Sequence, residues 1–191
     1  MATPKHDAIC EAALELFAEH GVNATTTREI AERAGAAEGT LYRHFQGKDD
    51  LVRWLFETSA EQFQETLLAS ADGITAPRAR LRALIRGVFA FADDHPAAFT
   101  YLLSVHHTGI LQHNGNASPP PMRTFVDTLT DGIEQGAFRD LPPVLATGWI
   151  IAMAQRAVVF LRSEVVEMAR EDVIRQTVDA ALRIVDAECT L

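Results

Sequence analysis

One short segment of the chain concentrates polar side chains that could bind nucleic acid. Over residues 38–45, Leu41 and Phe45 are four positions apart, so in a helix they share one buried face. The opposite face then carries hydroxyl, phenol, guanidinium and imidazole groups, from Thr40, Tyr42, Arg43 and His44. Such groups form hydrogen bonds with phosphates and with the edges of bases. The segment therefore has the chemistry of a helix that lies against nucleic acid.

A second short helix is predicted immediately before this segment. Thr26 can cap its start while Glu29, three residues later, reaches back, which is the spacing of a capping box. Gly35 can adopt the positive φ that ends a helix, and the small Ala36 and Ala37 allow a sharp turn. Two short helices joined in this way form a helix-turn-helix pattern, whose second helix can lie in a DNA major groove.

The rest of the chain shows helical periodicity and no convincing strand. A first helix is predicted from Pro4 to His20, and a long helix follows the motif from about Lys48 to Ala71. Further helices are predicted over residues 78–93, 97–106, 122–135, 145–161 and 172–187. We expect an all-α fold, in which the long helix connects a three-helix N-terminal head to a C-terminal helical domain.

Composition places the chain among intracellular globular proteins. Hydrophobic residues make up 48% of its 191 residues, which is enough for the core of an all-helical protein. Cys10 and Cys189 lie near opposite ends, so they form no disulfide framework and suit a reducing compartment. We find no signal peptide and no apolar run of roughly 18 residues, and we expect a cytoplasmic protein with no membrane partner.

The net charge of −9 excludes a bulk basic field as the basis of DNA binding. Residues 1–53 contain six Lys and Arg against nine Asp and Glu. DNA contact would therefore depend on placement, since Arg28, Arg43 and Lys48 cluster around the helix-turn-helix pattern. Phosphate contacts dominate affinity for DNA, so a protein with few cations binds weakly as a monomer. This favours a dimer that uses two motifs at once.

These motifs together resemble the N-terminal domain of the TetR family of transcriptional regulators. The resemblance covers about residues 8–55 and depends on several elements at fixed spacing: Gly21, TTREIAERAG, GTLYRHF, Lys48 and Leu51. It implies a helix-turn-helix DNA-binding domain over residues 1–48, and a ligand-binding and dimerisation domain over residues 49–191. It also implies a homodimeric repressor that occupies double-stranded operator DNA and is released by a small-molecule effector.

The resemblance assigns DNA contacts residue by residue. Phosphate contacts are assigned to Thr27, Arg28, Thr40, Tyr42, His44 and Lys48. Base readout is assigned to Glu38, Gly39 and Arg43, and Arg28 is also within reach of a base. Arg43 has the groups for bidentate pairing with guanine, and Glu38 could accept from a cytosine amino group. Equally, Glu38 could simply favour the positive end of its own helix.

The chain departs from the family pattern at the start of the recognition helix. Family members commonly have Ser or Thr as its cap, where this chain has Ala37. Loss of such a cap costs roughly 0.5–2 kcal/mol of local stability. We therefore expect a recognition helix that is loosely ordered without DNA.

The C-terminal domain offers a set of candidate effector-binding residues that are mainly aromatic or apolar. They are Phe89, Phe99, Tyr101, His106, Met122, Phe125, Trp149, Met153 and Arg156. Ligand pockets are mostly apolar with a few fixed polar groups, and this composition predicts a largely apolar effector. The same residues at helical spacing could equally form plain core, and Arg156 could reach solvent or a dimer partner.

No constellation in the sequence indicates catalysis or a metal. His95, His106, His107 and His113 occur close together, but the adjacent pair diverges on a helix and acids are few nearby. The sequence also has no nucleophile elbow, no phosphate-binding Gly-rich loop and no paired carboxylates. We expect neither an enzyme nor a bound cofactor or metal.

The last two helices are the predicted homodimer interface. Small residues in the first would allow close helix approach, and the second carries an apolar stripe beyond what one intramolecular face needs: Val173, Val178, Ala181 and Val185. The alternative to an effector-controlled repressor is a helical DNA-binding or adaptor protein without an effector. Absence of a cavity of about 300 Å³ would favour that alternative.

Overall fold

A computed structural model describes residues 4–105 and 120–186, and all regular elements within them are α-helices. In chain order they are α1 (Pro4–His20), α2 (Thr27–Arg33), α3 (Glu38–His44), α4 (Lys48–Ser70), α5 (Pro77–Asp94), α6 (Pro96–Val105), α7 (Pro120–Glu134), α8 (Pro143–Arg162) and α9 (Arg170–Val185). The predicted all-α class is confirmed. Each predicted helix is present, and the predicted ends that fall within the described residues are displaced by two residues or fewer.

The described residues form two compact units. The first unit contains residues 4–61 and 95–105, and the second contains residues 62–94 and 120–186. The structural division therefore falls inside α4, and α6 belongs with the N-terminal helices. A functional boundary at residue 48 stays a prediction.

Tyr101 on α6 explains why that helix belongs to the first unit. Its side chain is fully buried and its hydroxyl donates to the Val52 carbonyl oxygen at 2.6 Å. Its ring stacks on Phe17 of α1 with the centroids 5.7 Å apart. Burial raises the pKa of the Tyr101 hydroxyl, which keeps it a neutral donor.

Burial likewise raises the pKa of the Cys10 thiol to about 12, with a smaller effect from Asp7.

The turns around α2 follow the predicted local chemistry. Thr26 accepts from the Glu29 amide, and the Glu29 carboxylate accepts from the Thr26 amide at 2.7 Å, so the capping box is present. Gly21 and Gly35 adopt φ of 81° and 58°, as the ends of α1 and α2 require. Ala37 begins α3 without a side-chain capping bond.

The apolar stripe of α9 is used inside the protomer, which corrects the expectation that it was surplus. Val173, Val178, Ala181 and Val185 are all buried, because α9 packs against α5 and α8. Ion pairs hold both ends of α9 to α5: Arg86–Glu171 at 2.6 Å and Arg78–Asp186 at 2.8 Å. The stripe is therefore not available as a dimer surface.

The long helix α8 differs, because much of its apolar surface stays exposed. It is long and apolar enough to cross a membrane by length and composition, which corrects the expectation that no such stretch existed. Only 28% of its most apolar window is buried. Its exposed large apolar side chains are Val144, Leu145, Trp149 and Phe160. The last three lie within about 60° of one another around the helix, and we call them the α8 face.

Candidate nucleic-acid interface

The orientation of α3 is set by its two buried residues. Leu41 is fully buried and Phe45 nearly so, in a core that α1 and α4 complete. Glu38, Gly39, Tyr42 and Arg43 are exposed on the other side, where spacings of one, three and four place them together. With Thr27 and Arg28 at the start of α2, they form what we call the α2–α3 surface.

Hydrogen bonds join three of the predicted DNA-binding residues across the two helices. The Thr27 hydroxyl donates to Oε1 of Glu38 at 2.8 Å. The Tyr42 hydroxyl lies 3.3 Å from Oγ1 of Thr27. A threonine hydroxyl has one proton, which Glu38 accepts, so Tyr42 is the donor in the second contact. The side chain of Tyr42 is nevertheless 52% exposed and accessible to a partner.

The arginines of the first unit are in different electrostatic situations. Arg28 donates to Glu32 at 2.9 Å, which raises the pKa of its guanidinium. Both side chains are largely exposed, and such pairs contribute little, so a phosphate could replace Glu32. Arg33 is paired with Glu15 and Glu19. Among residues 4–105 and 120–186, neither Arg43 nor Arg53 has an ion-pair partner, so Arg43 is the more available of the two arginines on the α2–α3 surface.

Lys48 has a structural role that the sequence did not reveal. Its ammonium donates to the carbonyl oxygens of Val22 and Thr25, both at 3.0 Å, and so fixes the start of α4 to the connection before α2. An ammonium has three donors, so one remains for the predicted phosphate contact. Lys5 forms a similar bond to the Gly35 carbonyl oxygen at 2.9 Å.

Gly39 is not required by the protein's own structure. A Cβ built at this position meets no atom within 4 Å, and φ is not in the left-handed region. A glycine inside a helix is less stable than alanine by about 0.5–1 kcal/mol. The position therefore leaves room for another molecule to approach α3 closely.

His6 packs against the end of α3, a contact that was not predicted from the sequence. Its ring lies 5.5 Å from the ring of His44 at the end of α3, and 5.4 Å and 4.8 Å from those of Phe45 and Trp54. It therefore supports one of the predicted phosphate ligands from behind. Thr40, another of them, is half-buried. In the sequence, the one signal for this packing is the imidazole itself, two residues after Pro4 in the first turn of α1.

The residues predicted to bind an effector do not surround one described pocket. Phe99 and Tyr101 are buried in the first unit, whereas Phe125 is buried in the second. Trp149 is 44% exposed, and Arg156 is exposed with its guanidinium 6.0 Å from the Phe160 ring centroid. Met122 and Met153 are half-buried, and His106, His107 and His113 lie outside the described residues.

Two clefts in the second unit are open on one side and large enough for a small molecule. The larger, about 420 Å³, has mainly polar walls that include Arg80, Asp127 and Asp131. The smaller, about 310 Å³, combines apolar and charged groups: Phe89, Asp93, Val158, Leu161, Arg162, Met168 and Arg170. Phe89 is the one predicted ligand residue that lines either of these two clefts.

Known proteins similar to this chain are transcriptional regulators and not enzymes. Residues 9–55 match the family described as bacterial regulatory proteins, tetR family. The fatty acid metabolism regulator protein of Bacillus subtilis is 29% identical over 140 residues, covering 72% of each chain. The HTH-type transcriptional repressor KstR2 of Mycobacterium tuberculosis is 30% identical over 138 residues, covering 69% of this chain and 68% of KstR2.

A solved structure agrees with these relationships. The structure of the ketosteroid transcriptional regulator KstR2 of Mycobacterium tuberculosis superposes with a TM-score of 0.74 and 26% identity, covering 98% of this chain and 97% of that one. The family match over residues 9–55 and the superposed fold both include the helix-turn-helix pattern that exposes the α2–α3 surface. The chain therefore belongs to the TetR family and is a helix-turn-helix DNA-binding transcriptional regulator.

Proposed function

We propose that this protein is a homodimeric repressor that binds operator DNA through the α2–α3 surface. The observation that carries this proposal is the exposure of Arg43 and Tyr42 on the side of α3 opposite to buried Leu41. Arg43 supplies bidentate guanine recognition, while hydroxyl groups and Arg28 contact phosphates. Because a repressor must reach operator DNA on the bacterial chromosome, we also propose a cytoplasmic location.

The dimer in this proposal forms through the α8 face. Three large apolar side chains are exposed there, and a second copy is the partner that would cover them symmetrically. Gly148 lies between Leu145 and Trp149, and a Cβ built on it meets no atom within 4 Å. A helix from the partner could therefore approach closely at this point. The earlier proposal that α9 shares the interface is not supported by its buried stripe.

A gel-shift titration on the DNA upstream of the protein's own gene tests operator binding. We expect saturable binding that weakens steeply as salt increases, because the contacts release counterions from phosphates. The variant Arg43→Ala should bind more weakly, whereas Arg183→Ala on the exposed side of α9 is the control. Absence of saturable, salt-sensitive binding to that DNA and to any fragment of a genomic library would contradict the proposal.

The effector in this proposal is a small, largely apolar molecule. The name of the Bacillus subtilis relative refers to fatty acid metabolism, and the name of the protein in the solved KstR2 structure refers to ketosteroids. Fatty acids and ketosteroids are both predominantly apolar compounds. In this chain the smaller cleft has the matching wall of Phe89, Val158 and Leu161. Both clefts exceed the roughly 300 Å³ that would separate an effector-controlled protein from a plain DNA binder.

Release requires that the effector bind the DNA-free form more tightly than the DNA-bound form. Decanoate and a ketosteroid are the probes, and we expect one of them to raise the Tm and to release operator DNA. Leu161→Glu should abolish that release by placing a carboxylate in the apolar wall of the smaller cleft, whereas Asp127→Asn in the larger, polar cleft should retain it. If neither probe changes the Tm or DNA binding, the effector part fails while operator binding stands.

A further inference from the structure

The larger cleft of the second unit has a charged wall that neither operator binding nor the apolar effector uses. The cleft measures about 420 Å³ and is lined by the C-terminal part of α4, the start of α5 and one side of α7. From α7 come Thr124, Asp127, Thr128 and Asp131, whose spacings of three and four place them along the same side of that helix. The two threonines are buried, whereas the two aspartates are exposed. A polar side of α7 therefore faces this cleft.

Arg80 is fixed in the wall of the cleft by neutral acceptors. Its Nε donates to Oγ1 of Thr128, and its Nη1 donates to the carbonyl oxygen of Ile74, both at 3.3 Å. Nη1 also lies 3.5 Å from the carbonyl oxygen of Ala71. Among the residues that the structure describes, Arg80 has no ion-pair partner, and its Nη2 donates to no acceptor. A half-buried guanidinium is thus held in one orientation, with an unpaired charge and two protons left for a ligand.

The same wall carries acceptors and one further donor. The Thr124 hydroxyl donates to Oε1 of Gln64 at 3.0 Å, which leaves the amide protons of Gln64 available. Within the described part of the chain, Asp127 and Asp131 form no ion pair with Arg80 or with any other cation. Like charges at this helical spacing repel each other, and a bound cation would relieve that repulsion. The cleft thus presents an unpaired cation and two unpaired anions.

We propose that this cleft binds a free amino acid, and a basic one in preference to others. Arg80 and Gln64 hold its carboxylate, because a guanidinium and an amide nitrogen both donate hydrogen bonds. Asp127 and Asp131 contact its two cationic groups. One arginine and two aspartates give the wall a formal charge of −1, which the net charge of +1 on free lysine or free arginine neutralises.

Simpler ligands complement this wall less well. A lone anion such as phosphate would meet two carboxylates beside Arg80, whereas a diamine would leave the guanidinium unpaired and add like charge. A fatty acid would bring an apolar chain into a mainly polar cleft. The volume suits an amino acid, since small-molecule sites measure about 300–1,000 Å³. This site is separate from the smaller cleft, and the inference does not rest on operator binding.

Isothermal titration calorimetry of the full chain with three matched probes tests the proposal. L-Lysine carries the carboxylate and both ammonium groups, cadaverine lacks the carboxylate, and 6-aminohexanoate lacks the α-ammonium group. We expect L-lysine to bind about tenfold or more tightly than either, because each of the others loses charge-assisted hydrogen bonds. L-Arginine should bind as L-lysine does, and L-glutamate should bind more weakly. The cadaverine comparison tests the Arg80 contact without altering Arg80, whose own bonds hold the connection between α4 and α5.

Asp127→Asn and Asp131→Asn assign the binding to this cleft. Both side chains are exposed and form no ion pair in the described part of the chain, so neither change should alter the Tm of the free protein. Each should weaken L-lysine binding by about tenfold, because one charged acceptor is lost. Asp179→Asn makes the same change of charge on the exposed side of α9, and should bind L-lysine as the unaltered protein does.

Three results would overturn the inference. The first is the absence of both binding heat and a Tm increase with L-lysine and L-arginine up to about 10 mM. The second is binding of cadaverine or 6-aminohexanoate as tight as that of L-lysine. The third is unchanged L-lysine binding when both Asp127 and Asp131 are replaced. None of these results bears on operator binding or on release by the apolar effector, since neither involves this cleft.

Discussion

The α2–α3 surface and the α8 face present opposite chemistry on the same all-helical scaffold. The first displays Glu38, Tyr42 and Arg43 above a buried apolar side, and its hydroxyl groups are already joined by hydrogen bonds. The second displays Leu145 and Trp149, with the exposed Arg156 guanidinium beside Phe160. A polar, partly organised surface suits a hydrogen-bonding polymer such as DNA, whereas an exposed apolar face suits a protein partner.

The two surfaces share one feature, which is a helical glycine that the protein does not need. Gly39 and Gly148 both have open space where a Cβ would lie. Gly132 is different, since a Cβ there would lie 2.1 Å from Cδ2 of Phe138. The fold therefore requires Gly132, whereas Gly39 and Gly148 are positions where a partner could approach closely.

The largest expected effect concerns the α8 face. Trp149→Glu should raise the dimer dissociation constant by about a hundredfold, because an interface aromatic is lost and a charge is buried in each copy. Sedimentation equilibrium measures the change. Arg183→Gln on the exposed side of α9 alters the net charge equally and should leave the dimer unchanged. Equal dimerisation of both variants would remove the α8 face from the interface.

Gly39→Ala should separate stability from DNA binding. We expect the free protein to gain about 0.5–1 kcal/mol of unfolding free energy, since alanine is the better helix former. Operator affinity should fall by roughly tenfold, or about 1.4 kcal/mol, because the methyl group prevents close approach. Denaturant titration and gel shift measure the two quantities.

Gly132→Ala is the matched control, because the fold itself requires the glycine at this position. Gly132→Ala should lower the unfolding free energy by about 1–3 kcal/mol, because the new methyl group overlaps Phe138. If Gly39→Ala is destabilising in the same way, the distinction between the two kinds of glycine is wrong.

Ala37→Ser should order α3 in the absence of DNA. The added hydroxyl can accept from an amide of the first turn and should contribute about 0.5–2 kcal/mol to local stability. Amide exchange of α3 should slow in this variant. Thr26→Ala, which removes the existing cap of α2, should have the opposite effect on α2. Unchanged exchange and an unchanged Tm in Ala37→Ser would contradict the expectation.

The smallest effect is the pH dependence of the capping box. Bonds from the Thr26 amide and hydroxyl hold the pKa of the Glu29 carboxyl below its usual value of 4.5. The folded state thus binds this proton less readily than the unfolded state, so the stabilisation is present above pH 4.5. It is lost as the pH falls through the lower folded value. Glu29→Gln should flatten the dependence of Tm on pH in that acidic range, and an unchanged profile would exclude this role.

Sequence reasoning was most successful where one residue has one local role. Thr26, Glu29 and Gly35 determine their own turns, and Leu41 with Phe45 determines which side of α3 is buried. These interactions are between residues close in the chain, and their spacing is sufficient to predict them.

Longer-range packing was not predictable in the same way. Tyr101 has the appearance of a pocket residue in the sequence, yet its hydroxyl bonds to Val52, which is 49 positions earlier. Both α8 and α9 carry apolar stripes in the sequence, and only their neighbours determine that the stripe of α9 is buried while much of α8 stays exposed. Lys48 likewise contacts carbonyl oxygens that carry no side-chain signal in the sequence.

The most direct test of the central assignment is amide hydrogen exchange of the protein with and without its selected operator DNA. We predict that residues 27–44 exchange more slowly by about tenfold or more in the complex, while the α8 face shows no change on addition of DNA. Protection of α8 by DNA, or unchanged exchange across α2 and α3 in a saturated complex, would contradict the assignment of the α2–α3 surface to DNA.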